Sequence, residues 1–207
     1  MESKQQNYMP VIGVQNVHFA HKINEGEYET PILYEGVKQI GIKPKTENVP
    51  INGDNRLLYQ LSNVPTIEVD LSMNDLTDEQ EHYLLGHELD ETGGIIYNKC
   101  DHAPIVSLLF ESPKANGEMR YCILYEGQFE PYSEDIKGQD GKTTPAVKKL
   151  KGTFRSTANG LYKYQFDSDS KNVTQDKIDN FFKKVYIPKK LINKETPVST
   201  SNTGLGA

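Results

Sequence analysis

Tryptophan is absent from this 207-residue sequence, and cysteine occurs only twice, as Cys100 and Cys122. Two cysteines without a recognisable spacing support neither a disulfide framework nor a zinc module. No apolar run approaches the ~20 residues that span a membrane, and the polar segment Met1–Met9 lacks the apolar core of a signal peptide. We therefore expect a soluble protein of a reducing cytoplasm, with no cofactor and no metal.

A concentrated basic surface is also lacking. The chain has 29 Asp and Glu against 23 Lys and Arg, for a net charge of -6. The densest basic groups, within residues 148–155 and 183–190, are more typical of solvated faces than of binding patches. Because an acidic chain repels the phosphate backbone, tight nucleic-acid binding is not expected.

Patterns typical of catalysis are scarce. The most enzyme-like group of side chains falls in one segment and comprises His82, His87, Glu88, Asp90, Glu91, Asp101 and His102. A zinc-hydrolase helix carries two histidines one turn apart, whereas His82 and His87 are five residues apart and rotated off a common face. No nucleophile elbow and no phosphate-binding glycine loop is present. The sequence predicts a protein that is not an enzyme, with a small metal-dependent hydrolase as the less favoured alternative.

Segments with strand character dominate what is present. Apolar content or period-two alternation predicts strands at residues 32–43, 66–72, 95–98, 104–111, 119–130, 147–156 and 161–166. Asn116-Gly117 and Asn159-Gly160 each lie between two of these segments, and Asn-Gly favours a β-hairpin. This pattern predicts a mainly β fold, an antiparallel β-sandwich or rolled sheet.

Two helices are predicted beside the sheet. Thr77 and Gln80 fit a capping box at the start of the first, which is expected to end by Gly93. A second helix is predicted to begin near Thr174 and to stop at Pro188. Its apolar stripe consists of Ile178, Phe181, Phe182 and Val185. We expect the first helix to flank the sheet and the second to lie C-terminal to it.

The domain organisation follows from these segments. We predict an N-terminal arm and first strand region at 1–30, a β-sandwich domain at 31–170, a C-terminal helix at 171–194 and a disordered tail at 195–207. Within the domain, the segments 44–63 and 131–146 are polar, are punctuated by proline or glycine and are predicted to be long loops.

The segment Thr66–Ser72 alternates cleanly. Ile67, Val69 and Leu71 share one face, while Glu68 and Asp70 lie on the other. A pair of carboxylates is compatible with glycosidase chemistry. In an alternating strand, however, the pattern more simply indicates a solvated, negative face.

Two long stretches, Pro31–Asn98 and Ala103–Phe154, together resemble the major tail protein of long-tailed bacteriophages of Gram-positive hosts, in the group labelled phi13-type. The resemblance runs from about Val11 to Phe166 and covers the whole predicted domain. It implies a tail tube protein, a β-sandwich with a flanking helix, whose copies form stacked hexameric rings around a negative lumen. It implies no catalytic residues.

The resemblance also implies a location and partners. The subunit is expected in the virion tail after assembly in the host cytoplasm, beside tape measure, tail terminator and distal tail proteins, with no membrane contact. Genomic DNA would pass through the lumen during ejection without specific binding. A non-catalytic β-sandwich binding module of a virion or cell surface is the alternative, although such modules usually display tryptophan or tyrosine platforms.

Two hypotheses about individual residues follow when the strand pattern is combined with the family resemblance. Glu68 and Asp70 are expected to face the lumen, where like charge keeps DNA mobile. The predicted loop 44–63 is expected to reach an adjacent ring or subunit because it is long and its sequence is semi-ordered, punctuated by proline and by turn residues. Its candidate contact residues are Pro44, Pro50, Asp54, Asn55 and Arg56.

Overall fold

A computed structural model describes residues 9–53, 56–132 and 147–189, with side chains described throughout these ranges except at residues 47–65. The first strands in chain order are β1 (Gln15–Asn24), β2 (Glu27–Tyr28), β3 (Ile32–Tyr34), β4 (Val37–Gly53) and β5 (Arg56–Met73). They are followed by α1 (Asp78–Leu85), β6 (Glu88–Leu89), β7 (Ile95–Ile96), β8 (Val106–Pro113) and β9 (Met119–Phe129). The last elements are β10 (Lys148–Arg155), β11 (Lys163–Asp167) and α2 (Gln175–Asp179).

One antiparallel sheet organises the molecule. Its strands lie in the order β2-β1-β8-β9-β10-β5-β4, with β3 paired to β1 and β11 paired to β9. The short strands β6 and β7 form a separate hairpin. This arrangement confirms the predicted mainly β, antiparallel fold.

Both faces of the central strands are covered by apolar groups. On β8 and β9, Leu108 and Leu124 belong to a main core, while their neighbours Leu109 and Ile123 belong to a second cluster. The alternation follows from the two-residue period of a strand. All four side chains are fully buried, so the sheet separates two packed regions.

Helix α1 covers the main core. Thr77 and Gln80 form the predicted capping box, and Leu84 and Leu85 are buried against the sheet. The helix ends earlier than predicted, because Gly86 adopts a left-handed conformation with φ of 74°. A side chain at this position would overlap the carbonyl oxygen of His102.

The C-terminal segment covers the second cluster. Phe181 and Val185 are buried there, as their apolar stripe predicts. The prediction of one long helix within 171–194 is wrong for the described part, since α2 ends at Asp179 and turns follow. Burial of Phe181 and Val185 therefore does not require a continuous helix. Residues 190–194 and the predicted tail 195–207 lie outside the described residues.

The two predicted Asn-Gly hairpins have different outcomes. β8 and β9 pair around Gly117, as predicted. β10 and β11 do not form a hairpin with each other. Both pair with β9 and run in the same direction along it, with residues 156–162 between them. The turn at Gly160 exists, but local turn chemistry did not determine which strand is the partner.

The N-terminal region is more ordered than an arm. β1 pairs with β2, β3 and β8, and it buries Val17, Phe19 and Ala20. The predicted strand at 32–43 is divided into β3 and β4 by a turn in which Gly36 has φ of 81°. Period-two analysis gave no bounds for a strand within residues 1–30, because both faces of β1 contribute to packing.

The prediction of a loop at 44–63 is wrong, because the described residues of this segment form β-strands. This segment belongs to a long hairpin in which β4 and β5 pair from Val37 and Met73 to Gly53 and Arg56. Proline disfavours central strands but is tolerated at an edge, and β4 is an edge strand of the sheet. In the second predicted loop, 131–146, residues 133–146 lie outside the described residues.

Candidate assembly surfaces

The ladder between β4 and β5 extends beyond the rest of the sheet. β10 pairs with β5 only from Thr66 to Met73, whereas β4 continues to pair as far as the tip. The part formed by residues 46–65, here called the distal ribbon, has no third strand among the described residues. At ~3.3 Å per residue it is roughly 25 Å long.

The candidate contact residues of the predicted loop lie at different places on this hairpin. Pro44 is exposed on β4 just before the distal ribbon. Pro50 and Arg56 are part of the ladder, opposite Gln60 and Gly53. Asp54 and Asn55 lie outside the described residues. A two-stranded ribbon alone is marginally stable in water, so packing against another surface would stabilise this one.

Glu68 and Asp70 lie on the outward face of β5, as the alternation predicts. Each is paired across the ladder with a lysine of β4: Asp70 with Lys43 at 2.6 Å and Glu68 with Lys45 at 2.5 Å. The hydrogen bond from Lys43 holds the pKa of Asp70 below its ordinary value. Each carboxylate therefore has a lysine ammonium group beside it that offsets its charge.

The negative character predicted for this face is wrong. On the same face, β10 places Lys149, Lys151 and Arg155 beside β5, at positions opposite Ser72, Asp70 and Thr66. Among the side chains of β4, β5 and β10 that the structure describes, this face has two carboxylates and five cations. Their positions were present in the sequence as the alternating residues 43, 45, 149, 151 and 155, but only the strand register shows that they share a face.

The histidine cluster of the hydrolase alternative is divided in the structure. His87 is buried and its Nδ1 lies 2.6 Å from Asp101 Oδ2. Hydrogen bonding from the backbone N–H of Asn98, and then from His87, holds the pKa of Asp101 below its ordinary value. Glu88, by contrast, is exposed on the β6–β7 hairpin.

A buried carboxylate explains why this region is polar. Glu81 of α1 accepts hydrogen bonds of 2.7 Å from the hydroxyl groups of both Tyr97 and Tyr132. The Tyr132 hydroxyl also accepts from Lys148 at 2.8 Å, so the network fastens α1 to the start of β10. Within residues 9–53, 56–132 and 147–189, no three His, Cys, Asp or Glu side chains converge as metal ligands do. The hydrogen bonds of Glu81 and His87 therefore give this polar region a structural role.

Comparison with known proteins decides the family. Residues 25–189, well over half of the chain, match the family described as phage tail tube protein. The chain belongs to the phage tail tube protein family. This confirms the predicted relationship and agrees with the mainly β sheet. A search among curated proteins gave no match.

Membership of the phage tail tube family indicates a structural subunit of the virion. Such a family is in general not enzymatic, and its members assemble with other tail proteins. In the part of the chain that the structure describes, no helix has the length and apolarity needed to cross a membrane.

Proposed function

We propose that this chain is the subunit of a phage tail tube, and that it self-assembles into stacked hexameric rings whose channel conducts DNA during ejection. Membership of the family supports the role of tube subunit, and the distal ribbon is the observation that supports stacking of rings. It continues beyond β10 as two strands only. Because such a ribbon gains stability by packing, a neighbouring ring is its natural support.

Ring formation also protects the sheet edges. β4 pairs only with β5 among the described strands and offers the unpaired side of a 17-residue strand. Exposed edges of this length favour uncontrolled pairing with other chains. A closed ring with repeated identical contacts covers each such edge and limits further growth to stacking.

Glu68 and Asp70 are proposed to line the channel. Their pairing with Lys45 and Lys43 makes this wall charge-balanced at β5 and does not make it acidic. If the β10 cations share the channel, they attract phosphates in a salt-dependent manner. DNA passage would then be faster at higher salt, which is a consequence specific to this orientation.

Thiol labelling tests this orientation. Glu68→Cys and Asp70→Cys, each in a Cys100→Ser background, should react with a bulky polymer-linked maleimide as dissociated subunits. They should be protected in intact tubes, whose channel excludes the polymer. Equal reaction rates in tubes and subunits would place both residues outside the channel.

Self-assembly itself is tested on the purified protein. Sedimentation and negative-stain microscopy at increasing protein concentration should show hollow rods of uniform diameter. A protein that stays monomeric at all concentrations, or forms only amorphous aggregates, would contradict the proposal. The same rods can be used to test binding of the proposed partners, which are tape measure, tail terminator and distal tail proteins. We also propose that assembly takes place in the host cytoplasm and that the subunit catalyses no reaction.

A further inference from the structure

We infer that the β6–β7 hairpin of one copy docks into a groove beside the C-terminal segment of the next copy. The inference rests on the proposed self-assembly and adds the contact that joins neighbours around the ring. The two surfaces are residues 88–97, called the acidic hairpin, and a groove formed mainly by residues 181–189, called the C-terminal groove.

The acidic hairpin exposes both apolar and negative side chains. Leu89 and Ile96 are 42% and 44% exposed, whereas Tyr97 is held by Glu81 and His87. Glu88, Asp90 and Glu91 are also exposed, and residues 88–97 contain no lysine or arginine. The turn between the strands is closed by hydrogen bonds between Asp90 and Gly94 and between Gly93 and Asp90. The hairpin is thus an ordered protrusion that exposes Leu89 on one face and Ile96, beside Glu88, on the other.

The C-terminal groove has the complementary chemistry. It has a volume of about 640 Å³, which is within the range of pockets that hold ligands. Its lining includes Phe181, Val185 and Ile187, with Lys184 and Lys189 exposed at the same site. Lys177 and one acid, Asp176, complete its charged lining, so cations predominate.

The hairpin and the groove of a single copy lie on opposite sides of the central sheet. Tyr97 of the acidic hairpin binds Glu81 of α1, and α1 packs on the main core. Phe181 and Val185 of the groove pack on the second cluster. Because β8 and β9 separate the two clusters, the contact requires a second copy.

A contact between two different surfaces has consequences for symmetry. Each copy offers one hairpin and one groove, so the contact is head-to-tail and repeats until a ring closes. Apolar contact by Leu89 and Ile96 contributes affinity, while the opposite charges orient the approach and select the partner. The inferred contact is therefore compatible with a closed ring, whereas a self-complementary contact would stop at dimers.

Charge reversal with full-length protein tests the inference. A hairpin variant, Glu88→Lys with Glu91→Lys, and a groove variant, Lys184→Glu with Lys189→Glu, should each fail to form rods. Mixed together they should co-assemble, because each then meets an opposite charge. A control with the same number of reversals at exposed lysines outside β4, the hairpin and the groove, Lys99→Glu with Lys171→Glu, should assemble. Rods from either variant alone, or no rods from the mixture of folded variants, would overturn the inference.

Cysteine cross-linking locates the contact directly. Leu89→Cys and Lys184→Cys in one Cys100→Ser chain should give, on oxidation of assembled protein, a ladder of multimers in a non-reducing gel. Chains with either substitution alone should give no ladder. Rods that show no ladder would disprove this contact while leaving the tube proposal intact, whereas absence of rods from the wild-type chain would contradict the tube proposal itself. An internal cross-link without multimers would mean that the groove is occupied within its own copy.

Discussion

At the scale of single residues, two phenylalanine rings of the main core lie against glycine backbone on a neighbouring strand. Phe154 of β10 covers Gly127 of β9, and Phe129 of β9 covers Gly152 of β10. The two rings meet edge to face with centroids 5.9 Å apart. The glycines are therefore required by close packing and not by an unusual backbone conformation.

Gly127→Ala should destabilise the protein. A Cβ at this position would lie closer than 3.0 Å to ring carbons of the fully buried Phe154. Overpacking of this kind costs about 1–3 kcal/mol, measurable as a lower urea midpoint in equilibrium unfolding. Gly41→Ala is the matched control, because its nearest neighbour would be the Asp70 Cβ at 3.5 Å. An unchanged midpoint for Gly127→Ala would contradict the packing described here.

A buried ionic cluster fixes the end of β11 to the β8–β9 turn. Asp167 accepts hydrogen bonds from Arg120 Nε at 2.7 Å and from Lys114 Nζ at 3.1 Å. The Lys114 side chain is only 2% exposed and also binds Asp169. Loss of one carboxylate would leave a buried ammonium group with one partner.

Asp167→Asn should lower the free energy of unfolding near neutral pH by about 3 kcal/mol, since breaking a buried pair leaves an uncompensated charge. The hydrogen bonds from Arg120, and then from Lys114, hold the pKa of Asp167 below its ordinary value. Its contribution is therefore complete above the ordinary carboxyl pKa and is lost as pH falls through the lower folded pKa.

The measurement is urea unfolding of wild type and Asp167→Asn across the acid range. The difference between them should shrink as pH falls below the ordinary aspartate pKa. Asp169→Asn, at a more exposed position with one described lysine partner, should have a smaller effect. A difference that stays constant with pH would show that ionisation of Asp167 contributes nothing.

At the scale of elements, we expect the distal ribbon to be needed for assembly and not for folding. The β5 residues that belong to the described core, Ile67, Val69, Leu71 and Met73, lie on the sheet side of the Lys45–Thr66 pair. Replacing residues 46–65 by Asn-Gly should therefore give a folded monomer with a near-native Tm that no longer forms rods. Asp54→Ala with Asn55→Ala keeps the ribbon length and should assemble. Normal rods from the shortened chain would show that the ribbon has no role in stacking.

The elements also show which features of the fold could be predicted from sequence patterns and which could not. The capping box at Thr77, the hairpin at Gly117 and the alternation around Val69 depend on neighbours in sequence, and all three were predicted correctly. The pairing of β1 with β8 and of β11 with β9 joins segments far apart in sequence, which local periodicity does not specify. For the same reason the strand form of segment 44–63 and the lysines paired with Glu68 and Asp70 were missed. The contact role of this segment stays a prediction.

At the scale of the whole molecule, the surfaces proposed for self-assembly are distributed around one sheet. The distal ribbon extends from one end, while the acidic hairpin and the C-terminal groove lie on opposite sides of the central strands. This distribution suits stacking along one direction and closure around another. The net charge of -6 does not describe any of these surfaces, because each has its own local balance.

Cryo-electron microscopy of rods formed by the purified, full-length chain tests the central claim most directly. The account predicts stacked rings of six copies around an open channel, with the distal ribbon of each copy in contact with an adjacent ring. Solid filaments without a channel, or rings in which the ribbon contacts no other copy, would contradict it.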